Sequence, residues 1–381
     1  IQRRLSPGEA YKRTGGRLEG YTPAAKIAWL RRHEPEVFSA TRLFVAPKDA
    51  LRIMLGGEPV TDPIDAAGAL LYNLHDRGWD DVLAEEVGID TGQLPPVQEP
   101  WTDAGVLSAD AAAAFGLSTG LPLVTGAGDD VEVLGAGVVE PRQALEHIGT
   151  TGTILVCTER PAYDPNGVVE VYPHPVSGLY LAGGATNAAG RSLKWAAELL
   201  SGAGGPGGQL ALTYPPRADD PEPPTYLPLI KGERGLLWCS NATGAFTGLR
   251  EEHGPADLAL AVYEGVALSL KEIVAAVAAL GERPQAIVSG TPLDDSPWSR
   301  LRGDCYGLPL HGLQADDLTG LGAAMLALVN RGVFASLTEA VERCATPAST
   351  VTPDPARAAH YDQKLEAYLS VVQALRPTFD E

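Results

Sequence analysis

Residues 121–153, LPLVTGAGDDVEVLGAGVVEPRQALEHIGTTGT, hold two glycine-framed polar turns, each joined to a short apolar run. Gly126-Ala127-Gly128-Asp129-Asp130 follows Leu121 to Val124, and Gly149-Thr150-Thr151-Gly152 leads into Ile154 to Cys157. Short apolar runs flanked by Pro and Gly read as strands. The first turn presents a carboxylate that can take a proton. The second offers N–H groups and hydroxyls to a phosphate, because glycine lets successive N–H groups converge on an anion. Together they suggest phosphoryl transfer to a hydroxyl of a small polar substrate. Each also has a plainer reading. Asp-Asp beside glycine is commonly a solvated turn, and Gly-Thr-Thr-Gly can be an ordinary hairpin turn.

At 381 residues the chain exceeds one typical core, so two domains are expected. The 43 Gly and 31 Pro are spread along the chain without a period and read as turns between many short elements. A formal net charge of −19 repels nucleic acid and anionic membranes, which excludes both as expected partners. It also repels ATP, which makes a screening Mg²⁺ more necessary. Cys157, Cys239, Cys305 and Cys344 form no CxxC pair, so neither a zinc site nor a disulfide framework is expected. A reducing cytoplasm is the expected location. No stretch is apolar and long enough to span a membrane.

Read in order, Pro7 to Arg13 is a short helix, and Thr22-Pro23 opens another over Ala24 to Arg32. Leu43 to Val45 reads as a short strand, and Pro47 to Leu55 as a helix. Asp62 to Tyr72 is a loop-to-helix segment. Its Asp62 and Asp65 either compensate a helix dipole or belong to a substrate-contacting turn. Trp79 to Val87 and Ser108 to Phe115 are helical, Leu121 to Val124 is a buried strand, and Val131 to Val138 suits a helix packed on a sheet. Strands over 154–157, 168–172 and 179–182 form an antiparallel run, followed by a helix over 191–200. Residues 202–208 and 215–224 are linker-like. A strand over 226–230 leads to the charged turn Lys231 to Arg234. A long core helix spans 256–280, a strand 286–289 meets Gly290-Thr291, and helices cover 318–330 and 356–375.

With these turns in place, the sequence resembles the FGGY carbohydrate kinases, most closely their xylulokinase-like members. The resemblance runs through TPAAKIAWLRRHEPEVF and APKDALRIMLGG at 22–57, DPIDAAGALLYNL, GAGDD, HIGTTGT, YLPLIKGERG, EGVALSL and DDLTGLGAAMLA. It implies an α/β fold of two actin-like (ribonuclease-H-like) ATPase domains with an interdomain cleft. Residues 1–140 would be the remainder of the N-terminal sugar-binding domain and 141–381 the C-terminal nucleotide-binding domain. The implied activity is ATP- and Mg²⁺-dependent phosphorylation of a sugar hydroxyl, of a ketopentose such as xylulose or a related sugar or polyol. The alternative is a non-catalytic member that binds sugar or nucleotide in a regulatory role.

By position, the resemblance makes Asp129 the general base and Asp129 and Asp130 substrate contacts. Gly149, Thr150, Thr151 and Gly152 would line the ATP phosphates. Gly290 and Thr291 would sit near the adenosine, with Gly320 and Gly322 close to the nucleotide pocket. No side chain is assigned as a direct metal ligand, and a homodimer built on the second domain is the expected assembly, if any. The sequence departs from the family in three places. The family's opening strand and D-x-G-T-type turn do not stand before Ile1. The resemblance therefore implies a first domain incomplete at its N-terminus in the sequence given, and no turnover if that segment is truly absent. Ser289-Gly290-Thr291-Pro292 stands at the glycine-rich adenosine turn. Asp130 stands where Asn is common, and is expected to alter sugar choice or raise the pKa of one carboxyl of the pair.

Overall fold

Capping chemistry written in the sequence sets most helix starts in the computed structural model, which describes residues 5–200, 211–216, 221–235 and 237–379. Pro7–Thr14 begins after Ser6, whose hydroxyl accepts from the Glu9 N–H while the Glu9 carboxylate accepts from the Ser6 N–H. Pro23–His33 and Pro47–Met54 each carry proline in the first turn, where the missing N–H costs nothing. Pro63–Gly68 is capped by Asp62, which accepts from the N–H groups of Ile64 and Asp65.

The chain divides into two units. The first holds Ile1–Pro141, Cys157–Ala182 and Asp317–Thr346, and the second holds Arg142–Val156, Gly183–Asp316 and Pro347–Glu381. The division is therefore not a single cut in sequence. Two later segments join the first unit.

Within the first unit, Pro122–Val124 pairs antiparallel with Asp103–Val106. The strand expected here is present but not buried: Leu121 is 41% exposed, and pairing on one side leaves the run at an edge. Leu43 to Val45 forms no strand. Its backbone is tied by the Phe44 N–H to the Gln93 carbonyl, and the Phe44 ring sits 6.0 Å from Phe38. The helix expected over 131–138 is shorter, Glu132–Gly135, and ends ahead of Gly137 at φ +75°. It packs not on a sheet but on the helix Leu318–Asn330. Gly135 makes this possible, since a Cβ there would lie 2.0 Å from the Leu318 carbonyl oxygen.

In the second unit the sheet runs in the order Pro347–Val351, Leu310–Leu313, Ala286–Ser289, Gln143–Ile148, Gly152–Thr158, then Tyr180–Thr186. Ala286–Ser289 is parallel to Gln143–Ile148, with Ser289 opposite Glu146. Gln143–Ile148 is antiparallel to Gly152–Thr158, with Ile148 opposite Gly152. The 25-residue helix Pro255–Ala279 is buried along most of its length and forms the core element of this unit. The expected linkers at 202–208 and at 217–220 lie outside the described residues. Cys157, Cys239, Cys305 and Cys344 form no disulfide among the described residues.

Beneath the parallel pair lies a buried ionic network. Arg302, on the helix Pro297–Tyr306, donates to Glu146 and, at 2.9 Å, to the Ser289 hydroxyl. Glu146 also accepts from the Tyr306 hydroxyl at 2.6 Å and the Ser289 hydroxyl at 2.8 Å. Both charged side chains are wholly buried. A buried charge left without its partner is far more costly than the pair itself. Arg302→Met is therefore expected to destabilise the second unit by about 3–5 kcal/mol in urea unfolding, with part of the loss recovered by adding Glu146→Gln. An unchanged midpoint for Arg302→Met would show that the pair does not hold the sheet.

Candidate active site

In the first unit, the acidic turn grows out of the edge strand. The Thr125 N–H donates to the Thr102 carbonyl and the Gly126 N–H to the Pro100 carbonyl, so the chain is held where it enters the turn. Gly126 lies at φ +76°, a conformation that strains any residue with a Cβ. Asp129–Val131 forms a 3₁₀ turn that feeds directly into Glu132–Gly135. The Asp129 side chain is exposed, while Asp130 is half-buried.

Two cations from the helix Pro47–Met54 reach the base of this turn. Arg52 Nη1 donates to the Thr125 carbonyl at 2.5 Å, and Lys48 Nζ lies 3.4 Å from the same oxygen. Lys48 also pairs with Asp49 at 2.6 Å, Asp62 at 2.9 Å and Asp65 at 3.3 Å. Asp65 in turn sits against Gly128, where a Cβ would lie 3.1 Å from its Oδ1. Thus Asp62 does compensate a helix N-terminus, and both acids also belong to the surroundings of the turn.

Asp130 is pushed up to about 7, first by burial and then by the charges of Asp129, Glu170, Glu132 and Asp65. Asp65 is pushed up to about 6, again first by burial and then by Asp62, with Lys48 opposing. The turn therefore pairs an exposed carboxylate with a neighbour that holds its proton close to neutral pH. This is the arrangement by which adjacent acids take different roles.

Gly320 and Gly322 also lie in the first unit, on the helix Leu318–Asn330. The Gly320 N–H is capped by Asp317 at 2.7 Å. At Gly322 a Cβ would fall 2.2 Å from the Val131 carbonyl oxygen, so this glycine lets the helix lie directly against the Asp129 turn.

In the second unit, Gly149-Thr150-Thr151 is the loop of a hairpin, and the parallel register brings the Gly290-Thr291 turn to the same end of the sheet. The Gly290 N–H donates to the Glu146 carbonyl at 2.7 Å. The Thr291 hydroxyl accepts from the Ile148 N–H at 2.9 Å, so it ties the two turns together. Ser289 Oγ lies 2.8 Å from the Thr291 carbonyl, which roots this turn in the Glu146–Arg302 network.

The helix Ala189–Leu200 supports the hairpin loop from below. Its Gly190 N–H donates to the Gly149 carbonyl and its Arg191 N–H to the Thr150 carbonyl. With those carbonyls turned inward, the N–H groups and hydroxyls of Thr150 and Thr151 have no hydrogen-bond partner among the described residues. Thr150 is exposed and Thr151 half-buried. That set of free donors fits a phosphate. Gly152 has a different reason: its Cβ would lie 2.9 Å from Ala189 Cβ and 3.0 Å from Leu270. No group of three potential ligands for a metal ion occurs among the described residues.

The structure thus gathers Asp129, Asp130, Gly320 and Gly322 in one unit, and Gly149 to Gly152 with Gly290 and Thr291 in the other. Sequence reasoning missed Lys48, Arg52, Glu146, Gly190 and Arg302. Lys48 and Arg52 stand four apart in a helix, which puts both on one face, so that pair had a readable signal. Glu146 and Arg302 are 156 residues apart and had none.

The titration of Asp130 has a sign that can be checked. Its pKa rises from 3.8 to about 7 on folding, so its contribution is fully present below 3.8 and is lost as pH rises through 7. Three units correspond to about 4 kcal/mol, which its residual solvent contact reduces to roughly half. Asp130→Asn is expected to flatten the fall in thermal stability between pH 5 and pH 8, and to be the more stable variant at pH 8. Parallel curves for the two proteins would refute this.

Two family models match the chain: the N-terminal domain of the FGGY family of carbohydrate kinases over residues 1–135, and its C-terminal domain over 146–331. Xylulose kinase of Escherichia coli K12 is 32% identical over 364 residues, covering 94% of this chain and 74% of that protein. Autoinducer-2 kinase of Escherichia coli O139:H28 is 28% identical over 378 residues, covering 96% and 71%. The ligand-bound xylulose kinase of Lactobacillus acidophilus superposes with a TM-score of 0.88 at 25% identity, covering 98% of this chain and 76% of that one. The α/β fold is the two-domain, actin-like fold of these sugar kinases. This chain belongs to the FGGY family of carbohydrate kinases, enzymes that use ATP to phosphorylate sugars.

Proposed function

We propose that this carbohydrate kinase phosphorylates a hydroxyl of a ketopentose such as xylulose, or of a related sugar or polyol, with Asp129 as general base. The observation that carries this reading is the Asp129 carboxylate, exposed on a glycine turn that is held at its base by Arg52 and Lys48. In this reading residues 1–140 supply the sugar side and 141–381 the nucleotide side. Asp129 takes the proton of the attacking hydroxyl, and Asp130, holding its own proton near neutral pH, contacts a sugar oxygen. Gly149, Thr150, Thr151 and Gly152 line the ATP phosphates, with the N–H groups and hydroxyls of Thr150 and Thr151 as the donors. Gly290 and Thr291 meet the adenosine through their backbone, since the Thr291 hydroxyl is engaged with Ile148. Gly320 and Gly322 serve the nucleotide in this reading. Mg²⁺ supplies charge neutralisation on the phosphates.

Identity to a xylulose kinase and to an autoinducer-2 kinase supports a small polyhydroxylated substrate and leaves its choice to assay. A panel of ketoses and polyols with Mg-ATP reads that choice.

Two variants test the roles. Asp129→Asn is expected to lower kcat by about 10²–10⁴ while leaving the thermal midpoint near that of the wild type. Wild-type turnover in that variant would remove the base assignment. At Gly190 a Cβ would lie 2.3 Å from the Gly149 carbonyl oxygen, so Gly190→Ala must displace the hairpin loop. The expected result is a KM for ATP raised about tenfold, with a smaller change in the KM for sugar. Equal changes in both would argue against the phosphate role of this loop.

A further inference from the structure

Lys48 has more partners than its structural setting needs. Arg52, on the same helix, already holds the Thr125 carbonyl at 2.5 Å and Asp49 at 2.9 Å. The contacts that belong to Lys48 alone are Asp62 at 2.9 Å and Asp65 at 3.3 Å. Asp62 spends its Oδ1 on capping the helix Pro63–Gly68, so Lys48 faces its other oxygen. Asp65 is the member that touches the turn, against Gly128, and the Lys48 stem itself lies 3.3 Å from where a Cβ of Gly126 would stand.

The balance of charge around the turn is one-sided. The helix Pro47–Met54 contributes Lys48, Asp49 and Arg52, and the helix Pro63–Gly68 with its cap contributes Asp62 and Asp65. The turn adds Asp129, Asp130 and Glu132, and Glu170 bears on Asp130 from the strand Glu170–Pro173. Two cations therefore face a field of carboxylates, and only Lys48 reaches Asp65.

We propose that Lys48 is a positioning residue for the Asp129 turn: by pairing with Asp65, which lies against Gly128, it offsets a carboxylate charge beside the turn and so sets the pH range over which the turn works. This rests on the reading of Asp129 as general base. A charge added or removed beside a partly screened site moves a neighbouring titration by about half to one pH unit.

The test is the kcat–pH profile of the enzyme with Mg-ATP and the sugar selected by the panel. Lys48→Met is expected to move the acid limb up by about half to one pH unit, and adding Asp65→Asn is expected to bring it back. Lys48→Arg keeps the charge and is expected to keep the wild-type limb. Asp65→Asn alone is expected to move the limb down, and this measurement carries the test should Lys48→Met fail to fold. The proposal is overturned if the limb stays at its wild-type position in Lys48→Met or in Asp65→Asn. It is also overturned if Lys48→Met loses activity and stability together and Asp65→Asn restores neither, the signature of a merely structural ion pair. The carboxyl ¹³C resonances of the aspartates read the same shift without turnover. Wild-type turnover in Asp129→Asn removes the base reading whatever Lys48 does. An inactive Asp129→Asn with an unmoved limb in Lys48→Met removes the Lys48 proposal alone.

Discussion

The parallel pairing of Gln143–Ile148 with Ala286–Ser289 is the constraint on which the second unit depends. Parallel register makes both strands end at the same edge of the sheet, so the loops that follow them meet there. One is the Gly149–Gly152 hairpin and the other the Gly290-Thr291 turn. The buried Glu146–Arg302 pair lies directly under that edge and, through Ser289, fixes the second loop. A paired charge in a dry core has one satisfactory geometry, which is a stronger specification of position than apolar packing gives.

The first unit solves a similar problem at the base of its acidic turn, which leaves an edge strand. There the buried Arg52 guanidinium grips the carbonyl of buried Thr125, the Lys48 ammonium lies near it, and glycines shape the turn and its packing. Gly126 supplies a positive φ, while Gly135 and Gly322 remove the Cβ atoms that would keep two helices apart. The result is a carboxylate facing solvent beside one that burial and neighbouring charges push up to about 7. Two adjacent aspartates thereby acquire different chemistry from position alone.

Both turns share a design in which the polar groups facing the protein are satisfied by neighbours, leaving others free. The carbonyls of Gly149 and Thr150 are taken by the first N–H groups of the helix Ala189–Leu200. Asp62 is taken by a helix cap and by Lys48. Among the described residues, the donors of Thr150 and Thr151 and the carboxylate of Asp129 are left over, and the proposed function gives them to a phosphate and a hydroxyl.

The sequence by itself determined the local matters. Proline and Ser/Asp caps set helix starts, glycine spacing marked the two turns, and the run of matching segments identified the family. These rest on contacts within a few residues, whose chemistry is visible in a single stretch. The tertiary structure decided the rest. Val131 to Val138 looked suited to a sheet and packs on a helix, because its partner Leu318–Asn330 lies far along the chain. Leu121 to Val124 looked buried and is an edge, because burial depends on what covers both faces, which a short apolar run does not encode. Gly152 read as a turn residue and also has a packing reason, since the atoms it makes room for belong to Ala189 and Leu270. Glu146 and Arg302 carried no sequence signal at all: a charge reads as surface until folding removes the water and supplies the one partner that lets it stay buried.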